Sequence, residues 1–345
     1  MAGSSLSGTG LPAIEVIDLA DAGFDRLAEL RPEKVLLLAA AGRALTTGPV
    51  QAWMDRRSKV WLQRNVTPYR AEIERVAALP GLSGAYALNI STEWACSSMV
   101  QGARLMRTLD WPLHGMGPAL TVTRHAAAVG DWWQATWPGF VGVLTGLAPG
   151  RFAASYNQPP IRVTTGVKPV DWAIERLRVR QQRAIPPTHL LRQVFEKARD
   201  FSEALALLKD TELAIPALFS LAGADGRSVV VERLEKRARL RWGPIAIANH
   251  WPNHPDGNES WPKGWLRGVD SAGRFRDACR HANGMSELPA DFSWLHYPIL
   301  NKFSRLAAML DCYAGIFTVV GLEQDGRIAR PATEILRLEG LKPRS

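Results

Sequence analysis

The feature that most constrains the fold is a change of hydrophobic period near residue 80. Over residues 68–78, Ile73, Val76 and Ala77 share one helical face, and Pro80-Gly81 ends the run. Upstream, 35–45 and 51–63 read as helices, and Asp21 is placed to cap another over 22–30. Only 12–20, with Ile14, Val16 and Ile17, looks weakly strand-like. Beyond residue 80 the apolar runs shorten to strand length, with turn residues between them: 86–90, 97–100, 119–124, 141–144 and 152–156. Helical periodicity returns over 170–183 and 189–208. Segments 217–222 and 228–232 then flank an Asp225-Gly226 turn, a hairpin signature. Strands at 237–242 and 245–248, helices at 271–283 and 300–310, and a last hairpin (316–322 with 328–329) complete the chain. Strands and helices in separate blocks argue α+β rather than alternating βαβ, and tight turns argue antiparallel sheets. Two packed sheets flanked by helices fit this order.

The 345 residues are 46% hydrophobic and 22% charged, enough apolar chain for a full core. Net charge is +9. The basic residues gather around Arg176, Arg178, Arg180 and Arg183, and around Arg233, Lys236, Arg237, Arg239 and Arg241. The first group reads as a helix face and the second as the wet side of a strand. No nucleic-acid motif accompanies them; a solvated face is the first reading, and an anionic lipid surface is a compatible partner. Three cysteines, Cys96, Cys279 and Cys312, are too few for a disulfide framework and contain no CxxC pair. That suits a reducing compartment. The first residues lack a basic then apolar signal, so the expectation is a cytoplasmic, bacterial-style chain. The oligomeric state is not legible.

Chemistry gathers around Trp94-Ala95-Cys96-Ser97-Ser98. A free cysteine is most often a buried core residue. Here, however, it lies among small residues, and Arg107 and Asp110 follow a turn at Gly102, on what would be the paired strand. A neighbouring cation favours a thiolate, and a carboxylate can hold an ammonium group. A rival Cys–His pair would use His250, beside Asn249. A zinc site from His250, His254, Cys279 and His281 is opposed by Pro252 and Pro255, which break the helix that its spacing needs. Signatures of serine hydrolases and of phosphate-binding loops are missing, and no cofactor is expected.

Cys96-Ser97-Ser98 with Arg107-x-x-Asp110-Trp111 resembles the start of the catalytic chain in cysteine N-terminal nucleophile (Ntn) hydrolases. The similar branch is that of choloylglycine hydrolase, acid ceramidase and N-acylethanolamine acid amidase. Gly139-Phe140-Val141-Gly142-Val143-Leu144-Thr145-Gly146-Leu147, then Ser155-Tyr156-Asn157, Ala248-Asn249-His250-Trp251 and Ser271-x-x-Arg274 are similar to that branch in the same order. The resemblance spans roughly 96–280. It implies a four-layer αββα sandwich and no metal or cofactor. It also implies a precursor cut at Ala95–Cys96, so that 1–95 becomes a mostly helical small chain and 96–345 the catalytic domain.

On that resemblance the freed α-amino group of Cys96 is the base, its ordinary pKa of about 7.7–8.0 suiting neutral pH. Asp110 orients this amino group and Arg107 favours the thiolate. The Asn249 side chain and a backbone N–H near Asn157 bind the oxyanion, and Arg274 (or Arg276) supports the site. The implied reaction is hydrolysis of an N-acylated amine through a Cys96 thioester. Trp94, Trp132, Trp133, Trp137 and Phe140 are candidates for an apolar acyl pocket, 132–137 falling where the family places substrate loops. An acyltransferase and a non-catalytic ligand-binding protein on the same scaffold are the alternatives. The branch usually has Asn-Glu-Arg where this chain has Asn157-Gln158-Pro159, a departure that bears on self-cleavage. With no cysteine before residue 96, the two pieces are expected to hold together by packing alone.

Overall fold

The computed structural model describes residues 10–45, 48–80, 82–90, 95–252 and 261–342. The chain begins with strand β1 (Glu15–Ala20) and helices α1 (Asp25–Leu30), α2 (Pro32–Leu45), α3 (Gly48–Arg64), α4 (Arg70–Ala77) and α5 (Ala85–Ile90). The hairpin β2 (Ala95–Gln101) and β3 (Arg104–Asp110) follows, turning at Gly102, whose φ of 55° lies in the left-handed region. Next come α6 (Met116–Ala119), β4 (Thr121–His125), β5 (Trp132–Thr136), β6 (Thr145–Ala148), β7 (Phe152–Asn157) and the two-residue β8 (Ile161–Arg162). Helices α7 (Lys168–Gln181), α8 (Pro187–Lys197) and α9 (Phe201–Asp210) precede β9 (Ala217–Gly223), β10 (Ser228–Arg233), β11 (Ala238–Trp242), β12 (Ile245–Ile247) and β13 (Gly264–Trp265). Helix α10 (Ser271–Gly284) and strands β14 (Ser304–Asp311), β15 (Ile316–Asp325), β16 (Ile328–Pro331) and β17 (Leu336–Leu338) end the fold.

Two large sheets result. One has the order β1-β4-β5-β6-β7-β9-β10-β11, antiparallel except for the β1–β4 pair. The other has the order β12-β2-β3-β14-β15-β16, with β17 on β15. Strands β2 and β3 pack face to face against β7 and β9, while α8 and α9 cover the first sheet and α10 covers β2 and β12 of the second. The layer order is helix, sheet, sheet, helix, an α+β sandwich. Alternation along β2 divides its side chains between two cores. Cys96 and Val100 join the core between the sheets, and Met99 joins the core beneath α10 with Ala278, Ala282 and Trp294.

Several expected elements differ. Residues 86–90 form helix α5, not a strand, because Asn89 closes the turn onto Ala85 O and reaches across to the 139–141 backbone. The strand expected at 141–144 lies at β6, and 141–144 are irregular. The helix expected at 189–208 is two helices, the second capped by Asp200, which accepts from the Glu203 N–H. The expected substrate segment 132–137 is mostly strand β5. The helix expected at 300–310 is β14, a central strand buried on both faces whose unbroken apolar run hid its period of two. Helix α1 is not capped by Asp21; it starts after Phe24, whose N–H is taken by Glu72. In the basic strand cluster Arg233 is buried, donating to the Leu208 and Thr211 carbonyls at the end of α9, and Arg239 and Arg241 pair with buried Glu232. Among the described residues no helix is long and apolar enough to cross a membrane.

Candidate active site

The β2–β3 register builds the core of the site. Cys96 lies opposite Leu109 and Ser98 opposite Arg107, so Cys96 and Arg107 are diagonal neighbours on the face between the sheets. A long guanidinium bridges that diagonal, and Arg107 Nη2 donates to Cys96 Sγ at 2.9 Å. Its other nitrogen, Nη1, is fixed on the Leu144 carbonyl and on Thr145 Oγ1 at 2.8 Å. Strand β12 runs antiparallel along the other side of β2, with Ile247 opposite Ser98. Continuing that register places Asn249 opposite Cys96, and Asn249 Oδ1 accepts the Cys96 N–H at 2.8 Å. Asn249 Nδ2 donates to the Gln158 carbonyl at 2.8 Å.

Arg274 enters from the first turn of α10, where Asp270 caps the helix by accepting from the Gly273 N–H at 2.9 Å. Its Nη1 donates to the Cys96 carbonyl at 2.5 Å and to Ser97 Oγ at 3.2 Å, and its Nη2 to Asn249 Oδ1 at 2.9 Å. Asp110 lies opposite Ala95 at the open end of the hairpin, held by Asn301 Nδ2 at 2.7 Å and Ser304 Oγ at 2.8 Å. Asn157 lies one step further from the thiol. Its Oδ1 accepts from Ser98 Oγ at 2.6 Å, and its Nδ2 donates to the Ala248 carbonyl at 3.2 Å. Cys96, Arg107, Asn249 and Arg274 thus share direct bonds. Asp110 joins them through charge, and Asn157 through Ser98 and the strand that leads to Asn249.

All of these groups are buried, which sets their electrostatics. Burial pushes the Cys96 thiol up, and the Arg107 charge opposes it. Burial likewise raises the Asp110 carboxyl, against the Arg274 charge and its two hydrogen bonds. It lowers both guanidiniums. The two guanidiniums favour the ionised forms of the thiol and the carboxyl, and burial opposes them. His250 is not bonded to the thiol. Its Nδ1 meets Ser271 Oγ at 2.8 Å, and burial lowers its pKa to about 4.

The candidate pocket residues separate. Trp137 and Phe140 line a largely apolar cavity of about 250 Å³, together with Val35, Leu38, Met54 and Leu88 from the N-terminal helices. Trp111 also lines it, one residue after Asp110, so the cavity abuts the hairpin end that carries Ala95–Cys96. Trp132 does not line it; its ring stacks on His125 and Phe195 at 4.2 and 5.0 Å in the core toward α8. Trp133 lies beneath the Arg124 guanidinium on the same sheet. Trp94 and His254 lie outside the described residues. The sequence reading missed Asn301 and Ser304, and it named Ser98, Thr145 and Ser271 only inside motifs, with no role. Asn301 and Ser304 were hidden inside an expected helix. Ser98 was legible only as part of a small-residue run.

No family model and no curated protein matches this sequence. Solved structures do. A Caenorhabditis elegans N-acylethanolamine-hydrolyzing acid amidase ortholog aligns at 17% identity with a TM-score of 0.47, covering 64% of this chain and 93% of its own. A mutant conjugated bile acid hydrolase from Clostridium perfringens aligns at 11% identity and TM-score 0.40, covering 72% and 97%. Penicillin V acylase from Agrobacterium tumefaciens aligns at 14% and 0.38, covering 72% and 78%.

Proposed function

We propose that this chain is a cysteine amidase that cuts itself at Ala95–Cys96 and then hydrolyses N-acylated amines through a thioester on Cys96. The observation that carries the proposal is that one residue has three of its polar atoms gripped: its N–H by Asn249, its thiol by Arg107 and its carbonyl by Arg274. A structural core cysteine needs none of these contacts. Domain 1–95 would be the small chain and 96–345 the catalytic chain.

In the first step Cys96 Sγ bonds to the Ala95 carbonyl carbon, the C–N bond breaks, and the nitrogen takes up the thiol proton. Water hydrolyses the thioester, leaving an Ala95 carboxylate and a free α-amino group on Cys96. That group, between Asn249 and the Asp110 end of the hairpin, is the base for the second reaction. There Sγ attacks the substrate's amide carbonyl, the amine departs with a proton, and water releases the acid. The Asn249 side-chain amide and a backbone N–H near Asn157 would bind the developing oxyanion. The apolar cavity at the hairpin end suits a fatty or other apolar acyl chain. A partner surface fits as well. Trp53 is 49% exposed, with the Arg57 and Arg180 guanidiniums 5.3 and 5.4 Å from its ring centre, an aromatic and basic patch that supports contact with an anionic lipid surface. Three unpaired cysteines suit a cytoplasmic setting.

Mass spectrometry of the purified protein should show two fragments meeting at Ala95–Cys96, and Cys96→Ala should stay whole. The cleaved protein should release p-nitroaniline from N-decanoyl-p-nitroaniline. An intact chain that turns over the anilide would overturn self-cleavage, and an uncleaved, inactive wild type would overturn the enzyme reading. Adding a primary amine and finding a new amide would make the protein a transferase instead.

A further inference from the structure

Arg107 holds the thiol only as well as its own acceptors are held. Those are the Leu144 carbonyl and Thr145, at the end of the irregular segment 139–144. The Leu144 carbonyl also accepts the Tyr156 N–H at 3.0 Å and Thr145 opens β6, so that end is tied to the first sheet, whereas residues 139–143 have no ladder of their own. In that stretch the Val141 peptide is gripped at both ends instead. Asn89, on α5 and 2% exposed, accepts the Val141 N–H at 2.7 Å and donates to the Gly139 carbonyl at 3.0 Å. Arg192 donates to the Val141 carbonyl at 3.2 Å. Arg192 is fixed in turn by a two-pronged pair with Glu72 at 2.7 and 2.8 Å and by Glu196 at 2.7 Å, between the rings of Phe24 and Tyr69. Farther along, the Val143 N–H is taken by the Thr188 carbonyl, and a Cβ at Gly142 would meet Thr188 at 2.6 Å, so the segment has little room to shift. Asn89, Glu72, Tyr69 and Phe24 all precede the Ala95–Cys96 bond.

We propose that Asn89, and the Glu72–Arg192 pair beside it, are positioning residues through which the chain before Cys96 holds Arg107 against the thiol, by fixing segment 139–145. This rests on the cysteine amidase reading. The route is one of direct contacts: Asn89 and Arg192 to Val141, Leu144 and Thr145 to Arg107, Arg107 to Sγ. A guanidinium displaced by even 1 Å in so dry a site loses much of its effect on the thiol. The charged groups that act on Cys96 itself are Arg107 and Asp110 from β3 and Arg274 from α10. Those around the Arg192 clamp are Glu72, Glu196 and Tyr69, with His125 and His189 also within reach of its charge.

The test is the pH profile of kcat/KM on N-decanoyl-p-nitroaniline, with the self-cleavage half-time followed alongside. Asn89→Ala should move the midpoint of the rising limb up by about one pH unit, because the α-amino base and the thiol beside it lose a neighbouring cation and give up their protons later. On the acid side of that limb the rate should fall about tenfold. Arg192→Lys keeps the charge but loses the fork, and should move the midpoint in the same direction by less. It is the variant to use if Asn89→Ala does not fold. A merely structural role would lower the active fraction or the melting temperature and leave the midpoint in place, and that result would overturn the proposal. Wild type that neither cleaves nor turns over the anilide overturns the amidase reading itself, and this inference with it. Active wild type with unshifted variants overturns only the inference.

Discussion

At the scale of single residues, the site depends on how little space surrounds the Ala95–Cys96 bond. Gly268 has a φ of +73°, and a Cβ built there would meet the Ala95 Cβ at 2.6 Å and Arg274 Nη2 at 2.8 Å. Gly268→Ala should therefore push the Arg274 fork off the Cys96 carbonyl and slow self-cleavage by about a hundredfold, as read by gel densitometry of the two fragments. Cleavage at the wild-type rate would show that the Arg274–carbonyl contact is not needed. Arg107 and Asp110 could be paired with Cys96 from sequence because one hairpin brings them together, and hairpin register follows from its turn. Asn249 and Arg274 could not, since nothing local links residues 96, 249 and 274. They were named only through resemblance to a family.

At the scale of elements, two buried histidines make stability depend on pH. His125 on β4 stacks on Trp132 and lies against the tilted ring of Phe24, and His189 on α8 meets Thr67 Oγ1 at 3.0 Å. Burial holds both below the ordinary histidine range, His189 at about 3. Below about pH 6.5 the unfolded chain takes up protons that the folded chain refuses, so stability falls as pH falls, by about 1.4 kcal/mol per unit per histidine. The urea midpoint should drop between pH 7 and pH 5, and His189→Gln should make that drop shallower. An identical slope in the variant would mean that His189 is charged in the fold. Helix α5 and strand β14 are decided by partners distant in sequence or by burial on both faces, which erases periodicity. The α8–α9 break instead carries a local signal, the Asp200 cap on the Glu203 N–H. The 217–233 hairpin carries its own turn residues and was legible.

At the scale of the whole molecule, the chain before Cys96 is built into the sandwich. Strand β1 pairs with β4 in parallel, and Glu72 from α4 holds Arg192 from α8 at 14% and 6% side-chain exposure. The two pieces that the proposed cleavage would leave therefore share a backbone ladder and a buried ion pair as well as apolar packing, more than packing alone. After cleavage they should co-elute from a sizing column in 1 M salt and part only in denaturant, since burial shields such a pair from screening. Separation by salt alone would place the fragments in contact only at their surfaces.

The sequence by itself determined the α+β class, the helical start, most strands with strong turns, and the cysteine with its hairpin partners. Each depends on neighbours within a few residues, where period, turn chemistry and capping act. Only the tertiary structure decided that Asn249 lies opposite Cys96, that Arg274 reaches its carbonyl, and that Trp137 and Phe140 but not Trp132 line the cavity. Those outcomes follow from which strands pair and which faces meet. These are long-range choices made by the packing of two sheets, and no window of sequence contains them.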